Sequence, residues 1–504
     1  MWRHRVGTPA SEDVEVFHEA DEHFWVGVGL TTSDKYLVIA SGSKVTSEQW
    51  YLDVSEETGN PTGEFTCIRP REDGVEYDCD HAVIGGVDYW LTTHNRTHPD
   101  FAAAISPVGK PLLLDESFRP HLEGHRLDGF GVHKQFLLCG ERVEGLQKAW
   151  LLRLQETGEN SLDYARDLAN WEEIAFDEEL ASVGAGGMAE WDVPAIRVSY
   201  TSFITPAKVY HYELATGKKT LLKEREVLGG YNREDYRAQR LWVAAADGAK
   251  IPVSLVYRKD TAPENGPHPV LLYGYGAYEA TTDPSFSIAR LSLLDRGIIF
   301  AIAHVRGGGE MGRAWYENGK GLNKKNTFTD FIAVADALIA RGVTTPDQMA
   351  ALGGSAGGLL MGAVANLGGD RFVAIEANVP FVDPLTSILM PQLPLTVTEW
   401  DEWGDPYHDP QVYEYMATYA PYENVEAKDY PNILATTSLN DTRVLYVEPA
   451  KWIAKLRDTA TAGQFLLKTE MVAGHGGVSG RYESWRQTGF EYAWLIHQIT
   501  GLTE

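Results

Sequence analysis

Gly353-Gly354-Ser355-Ala356-Gly357-Gly358 sets a serine between paired glycines, after the apolar run 349–352 and before the helical run 359–365. A serine hydroxyl is a poor nucleophile in water. It becomes an acyl-accepting nucleophile when a sharp strand-to-helix turn holds it clear of a sheet, beside a base and backbone N–H donors. G-x-S-x-G is the sequence form of that turn. Glycine on both sides tolerates a strained backbone and lets strand and helix approach closely. The chemistry on offer is acyl transfer through Ser355.

Such a serine needs an orienting carboxylate and a base, which follow it in that order along the chain. His408, His475 and His497 are the histidines downstream. His497 falls inside a terminal helical pattern and His408 in a polar, proline-flanked loop. His475 lies in Ala473-Gly474-His475-Gly476-Gly477, a loop able to lay an imidazole over a sheet edge, and is the predicted general base. Asp441 is the carboxylate of the segment 436–444 and is predicted to hold the imidazole tautomer; capping the helix that follows is its alternative use. An oxyanion hole takes one N–H from Ala356 and a second donor from an early strand–helix loop. Tyr273-Gly274-Tyr275-Gly276-Ala277-Tyr278 offers glycines for close approach and tyrosine hydroxyls as donors. The glycine run Arg306-Gly307-Gly308-Gly309-Glu310 lacks the Lys-Ser/Thr ending of a phosphate loop.

The elements that must position these groups alternate in type. Trp242–Ala245 and Val253–Tyr257 read as a hairpin around Asp247-Gly248, and Val270–Tyr273 and Ile298–Ala303 as buried strands. Phe328–Arg341 carries an amphipathic helical pattern, and strands at 372–375, 433–436 and 465–469 alternate with helices at 449–458 and 482–500. Strands alternating with helices predict a mostly parallel sheet with helices on both faces, and the mid-sheet elbow makes it an α/β-hydrolase catalytic domain, placed at 227–504.

Residues 1–226 follow another grammar, short strands between turns. A strand ending in a glycine turn recurs at Gly59, Gly109, Gly158 and Gly217, with Arg3-His4-Arg5-Val6-Gly7 as the tail of an earlier copy. Repeats of roughly 50 residues with several strands each predict β-propeller blades, about five blades or blade remnants. The first copy lacks the strands that should precede it, which predicts an incomplete β-propeller: either sequence upstream of residue 1, or a fragment. The charged, turn-rich stretch 221–236 reads as the linker.

At 504 residues the chain exceeds one ordinary core, and 44% hydrophobic with 23% charged residues are globular values. A formal net charge of −27 argues against nucleic-acid binding and is compatible with cationic peptides. Cys67, Cys79 and Cys139 form neither a disulfide framework nor a zinc pattern, so a reducing, cytoplasmic setting fits. No secretory signal and no apolar run long enough to span a membrane is visible, no metal or organic cofactor is implied, and the oligomeric state is left open.

Together, Tyr273-Gly274-Tyr275-Gly276, 304–312, the elbow, Val379-Pro380-Phe381-Val382-Asp383, Glu448-Pro449-Ala450-Lys451-Trp452 and Gly474-His475-Gly476-Gly477 resemble the prolyl oligopeptidase family. Ala356, where prolyl endopeptidases usually carry asparagine, favours the oligopeptidase B branch. The resemblance reaches back to residue 1. It implies a cytosolic serine peptidase for short peptides, capped by a seven-bladed propeller. Ser355, Asp441 and His475 would be its triad, Tyr275 and Ala356 its oxyanion hole, and Arg443 a binder of substrate backbone. It also implies cleavage after Arg or Lys through paired carboxylates, here Glu399 and Asp401, with Asp283 at the next subsite, where Ser285 replaces a second acid. Two carboxylates facing a guanidinium make bidentate, charge-assisted bonds. Read without the resemblance, 399–402 is an ordinary solvated acidic loop. The alternatives are a prolyl endopeptidase or acylaminoacyl-peptidase-like enzyme, or an inactive propeller–hydrolase interaction protein.

Overall fold

The computed structural model describes residues 1–54, 62–155, 161–186 and 188–502. The chain divides into two compact units, Met1–Tyr200 with Lys208–Glu224, and Thr201–Ala207 with Arg225–Glu504.

The second unit is built on eight strands: β1 (Tyr236–Ala244), β2 (Lys250–Arg258), β3 (Val270–Tyr273), β4 (Ile299–Ala303), β5 (Met349–Gly354), β6 (Ala374–Asn378), β7 (Asn432–Ser438) and β8 (Phe465–Glu470). Their order across the sheet is β1-β2-β4-β3-β5-β6-β7-β8. β2 runs antiparallel to both neighbours, and every pairing from β4 to β8 is parallel. Val270, Leu271, Leu272, Ile299 and Ala301 are fully buried, as expected of parallel strands covered on both faces. The helices that matter here are α1 (Ile288–Leu294), α2 (Lys325–Ala340), α3 (Ala356–Gly368), α4 (Thr396–Trp403), α5 (Val447–Thr459) and α6 (Arg481–Thr500). α2 turns Phe328, Phe331, Val334, Ala335 and Leu338 into the core, the helical spacing that made it legible in the sequence. The loops after β3, β5, β7 and β8 all leave the sheet at its carboxyl edge, because these strands are parallel. That edge is where such sheets carry their ligand sites.

Among the described residues the first unit has four four-stranded sheets, each made of strands consecutive in the chain and lying within 25–69, 77–119, 125–173 and 181–224. Trp2–Arg3 pairs antiparallel with Val14–Glu15 as a two-stranded piece. The repeating segment of the sequence is the third strand of each sheet, as in Ser47–Asp53 and Ala102–Pro107. The turn glycines Gly59 and Gly158 lie outside the described residues. One expectation is corrected: Lys219–Glu224, four of whose six residues fall in the stretch read as the linker, is the fourth strand of the last sheet. All six of its residues are exposed, so no alternation of apolar and polar residues marked it. Cys67, Cys79 and Cys139 are free thiols, and among the described residues no helix is long and apolar enough to cross a membrane.

Candidate active site

Ser355 stands between β5 and α3 with φ 58° and ψ −118°, a left-handed conformation that a non-glycine residue holds at a cost of about 1–3 kcal/mol. Four backbone hydrogen bonds hold it there. Its N–H donates to Asn378 at 2.8 Å, and its carbonyl accepts from Gly358, Phe381 and Leu359 at 2.8, 3.1 and 3.3 Å. The glycines are there for space. A β-carbon on Gly358 would stand 2.4 Å from Cα of Pro380, and one on Gly357 would stand 2.8 Å from the Gly274 carbonyl oxygen.

His475 and Asp441 reach this serine from the loops after β8 and β7. His475 Nε2 lies 3.1 Å from Ser355 Oγ, and His475 Nδ1 lies 2.7 Å from Asp441 Oδ2. A carboxylate at Nδ1 keeps the proton on that nitrogen and leaves Nε2 as the acceptor facing the hydroxyl. Asp441 Oδ1 accepts the N–H groups of Arg443 and Val444, both at 2.9 Å. Burial alone would raise the Asp441 pKa, but the hydrogen bonds from His475 and these two amides outweigh it and hold the carboxyl below its usual range. The other downstream histidines are occupied elsewhere, His408 with Asp405 at 2.7 Å and His497 with the Leu502 carbonyl at 3.1 Å.

Ala356 is buried at the start of α3, where the first N–H groups of a helix have no partner within it. Tyr275, in the loop after β3, packs on the elbow: a β-carbon on Gly357 would touch its ring at 3.3 Å. Burial pushes the Tyr275 hydroxyl up to about 12, helped by Tyr273, Glu402 and Glu399, while a hydrogen bond with the Ser355 side chain pulls the other way. At neutral pH the phenol is therefore a proton-bearing donor beside the serine. The Gly307–Gly309 run serves the same loop. β-Carbons there would collide with the carbonyls of Gly276 and Glu279 at 2.2 Å, so its glycines allow backbone to pack on backbone beneath the donor loop.

The acidic segment 399–402 is not a loop; it lies on α4. Glu399 Oε2 accepts the Tyr278 hydroxyl at 2.6 Å and Trp403 Nε1 at 2.9 Å. The rings of Tyr278 and Trp403 meet edge to face at 5.6 Å, with Phe381 5.3 Å from Trp403, so Glu399 stands against an aromatic wall. Two helical residues turn through about 200°, which places Asp401 on the far side of α4 from Glu399. The carboxylate that shares a face with Glu399 is Glu402, fully buried, with Oε1 accepting the Tyr278 N–H at 3.0 Å. The sequence reading gave Glu402 no role and named Tyr278 only within the donor loop; the i, i+3 spacing from Glu399 would have found Glu402 once the segment was read as helical. Asp283 is half-buried and accepts the Thr281 hydroxyl at 2.8 Å, while Arg443 is exposed, two residues after Asp441.

The family model described as "Prolyl oligopeptidase, N-terminal beta-propeller domain" matches residues 1–225, and that of the "Prolyl oligopeptidase family" matches 284–501. Dipeptidyl aminopeptidase BI of Pseudoxanthomonas mexicana is 42% identical over 98% of this chain and 66% of its own length. Protease 2 of Moraxella lacunata is 40% identical over 99% of this chain and 69% of its own. The solved oligopeptidase B from Trypanosoma brucei, in its closed form with covalently bound antipain, superposes with a TM-score of 0.92 at 38% identity, covering 99% of this chain and 69% of that one. The chain thus spans about two thirds of the length of the relatives it matches. The fold is an α/β-hydrolase domain preceded by β-propeller sheets.

Proposed function

The chain belongs to the prolyl oligopeptidase family, and from that premise we propose that it is a serine peptidase cleaving short peptides on the carboxyl side of Arg or Lys. The observation that carries the reaction type is the unbroken chain Asp441–His475–Ser355 at the carboxyl edge of the sheet. Ser355 Oγ attacks the scissile carbonyl carbon as its proton passes to His475 Nε2. The oxyanion lies against the Ala356 N–H and the Tyr275 hydroxyl. His475 then returns the proton to the leaving amine, and water repeats the sequence to release the acid and restore the serine. Asp441 fixes the imidazole and stabilises its cationic form.

Glu399, backed by two neutral donors and an aromatic wall, is the group for a basic side chain at P1. Asp401 and Asp283 are weaker contributors: the first lies on the other side of α4, and the second lacks an acidic partner at Ser285. Arg443, exposed beside Asp441, binds substrate backbone. The net charge of −27 favours encounter with cationic peptides, and three free cysteines favour a cytoplasmic setting. The division between propeller and peptidase domains is placed at 226/227.

The test is hydrolysis of fluorogenic peptides with Arg, Lys, Pro or Phe at P1, run beside Ser355→Ala, Glu399→Gln and Asp401→Asn. Glu399→Gln is expected to lower kcat/KM for Arg by about 10- to 100-fold, the worth of a charge-assisted hydrogen bond, and to spare Phe. Asp401→Asn is expected to cost about threefold or less, as for a solvated carboxylate. Cleavage after Pro but not Arg would overturn the substrate class in favour of a prolyl endopeptidase. Absence of Ser355-dependent turnover would overturn the enzyme in favour of an interaction protein.

A further inference from the structure

Lys324 and Glu402 are 1% and 0% exposed, and neither belongs to the serine–histidine–aspartate chain. An ion in such a place costs several kcal/mol of desolvation unless its surroundings repay it, so two of them facing one loop demand a reason. The Lys324 ammonium donates to the Gly276 carbonyl at 2.5 Å and to the Gly319 carbonyl at 3.0 Å. Burial pulls its pKa down to about 8, and the negative charge of Glu402 opposes the fall. Glu402 in turn accepts the Tyr278 N–H at 3.0 Å and the Tyr316 hydroxyl at 2.6 Å.

These bonds hold one short loop at two points, the Gly276 carbonyl and the Tyr278 N–H. Gly276 follows Tyr275 directly, and Tyr278 lies two residues further on. The backbone is left-handed at Gly276 (φ 70°), at Tyr278 (φ 61°) and, directly after it, at Glu279 (φ 55°). Consecutive left-handed non-glycine residues persist only where the surroundings over-determine them. Thr327 adds its hydroxyl to the Arg306 carbonyl at 2.7 Å, beneath the same turn. A neutral residue at 324 could fill the space but could not orient a carbonyl dipole as firmly as a buried ammonium does.

We infer that Lys324 and Glu402 are positioning residues that clamp the Gly274–Tyr278 loop and so aim the Tyr275 hydroxyl at the point where the oxyanion forms. This rests on the peptidase reading above. Its test uses a fluorophosphonate, which needs the serine and its oxyanion hole but no basic P1 group, together with turnover of a P1-Arg peptide. Lys324→Met and, separately, Glu402→Gln are expected to slow Ser355 labelling and kcat by about 10²-fold, near the cost of losing one oxyanion donor, with KM changed by about threefold or less. In Tyr275→Phe, which has already lost that donor, either second substitution is expected to cost only about twofold, because residues acting through one group are not additive. An equal cost in both backgrounds, or a loss carried by KM, would overturn the clamp. Glu402→Gln keeps the size and an acceptor oxygen, so it decides the matter should Lys324→Met fail to fold, as near-UV circular dichroism would reveal. A parent protein that labels at Ser355 yet ignores basic peptides refutes the substrate class and leaves the cycle to decide the clamp. A parent that does not label at all overturns both.

Discussion

Replacing Asp441 with Asn removes a charge at constant volume, and the surrounding bonds dictate how the amide must sit. Oδ1 of Asp441 lies under the N–H groups of Arg443 and Val444, both at 2.9 Å. An NH2 group there would face two donors, so the amide oxygen must occupy that place. The NH2 then points at His475 Nδ1, where the carboxylate oxygen stood at 2.7 Å. Nδ1 is forced to accept, the ring proton moves to Nε2, and the nitrogen 3.1 Å from Ser355 Oγ can no longer act as a base. In the serine-protease template this tautomer change costs about 10⁴ in kcat, or about 5.5 kcal/mol. The assay is steady-state hydrolysis of a P1-Arg peptide near pH 7.5, with KM expected to stay within a few-fold. Stability carries a second signature. The depressed carboxyl of the parent contributes stability above its unfolded pKa, and that contribution is lost as pH falls through the lower folded value. Any advantage in Tm of the parent over Asp441→Asn should therefore shrink below about pH 4. A fall in kcat of less than about tenfold, or a loss expressed in KM alone, would refute the tautomer argument.

Two further substitutions probe the scaffold. Gly358→Ala drives a methyl group to 2.4 Å from the Cα of Pro380, which is backbone and cannot rotate away; overpacking of about 2 kcal/mol is expected, seen as a Tm lower by about 4–8 °C together with reduced kcat. Glu448 is buried, accepts the Ser387 hydroxyl at 2.5 Å and the Asp383 N–H at 3.0 Å, and is pushed up to about 7, mainly by burial. Because its folded pKa is raised, its favourable contribution is present below the unfolded pKa and lost as pH rises through about 7. Glu448→Gln should therefore gain stability relative to the parent between pH 5 and pH 8, by up to about 3 kcal/mol in denaturant titrations at the two pH values. A difference between the proteins that does not change with pH would show that Glu448 stays in one protonation state.

The serine elbow was legible because its cause is local. A strand, four glycines around one serine and a helix together specify a turn that few other sequences could make. The buried strands were legible too, since both faces of a parallel sheet demand continuous apolar runs such as Val270–Tyr273. The exposed strand Lys219–Glu224 was not, because a strand with no buried face leaves no alternating pattern.

What the sequence determined by itself is the inventory and its order: a serine on a turn, then an aspartate, then a histidine, each in a loop after a parallel strand. What the tertiary structure alone decided is which groups meet. Asp441 and His475, 34 residues apart in sequence, bond because β7 and β8 are adjacent, and the serine 120 residues before His475 joins them because β5 opens on the same edge. The helical phase of α4 sets Glu402 rather than Asp401 beside Glu399, and burial makes Lys324 and Glu402 a pair acting on one loop. Hydrogen bonds of this kind depend on separations of a few ångströms, which sheet order and helix rotation fix and residue spacing along the chain does not.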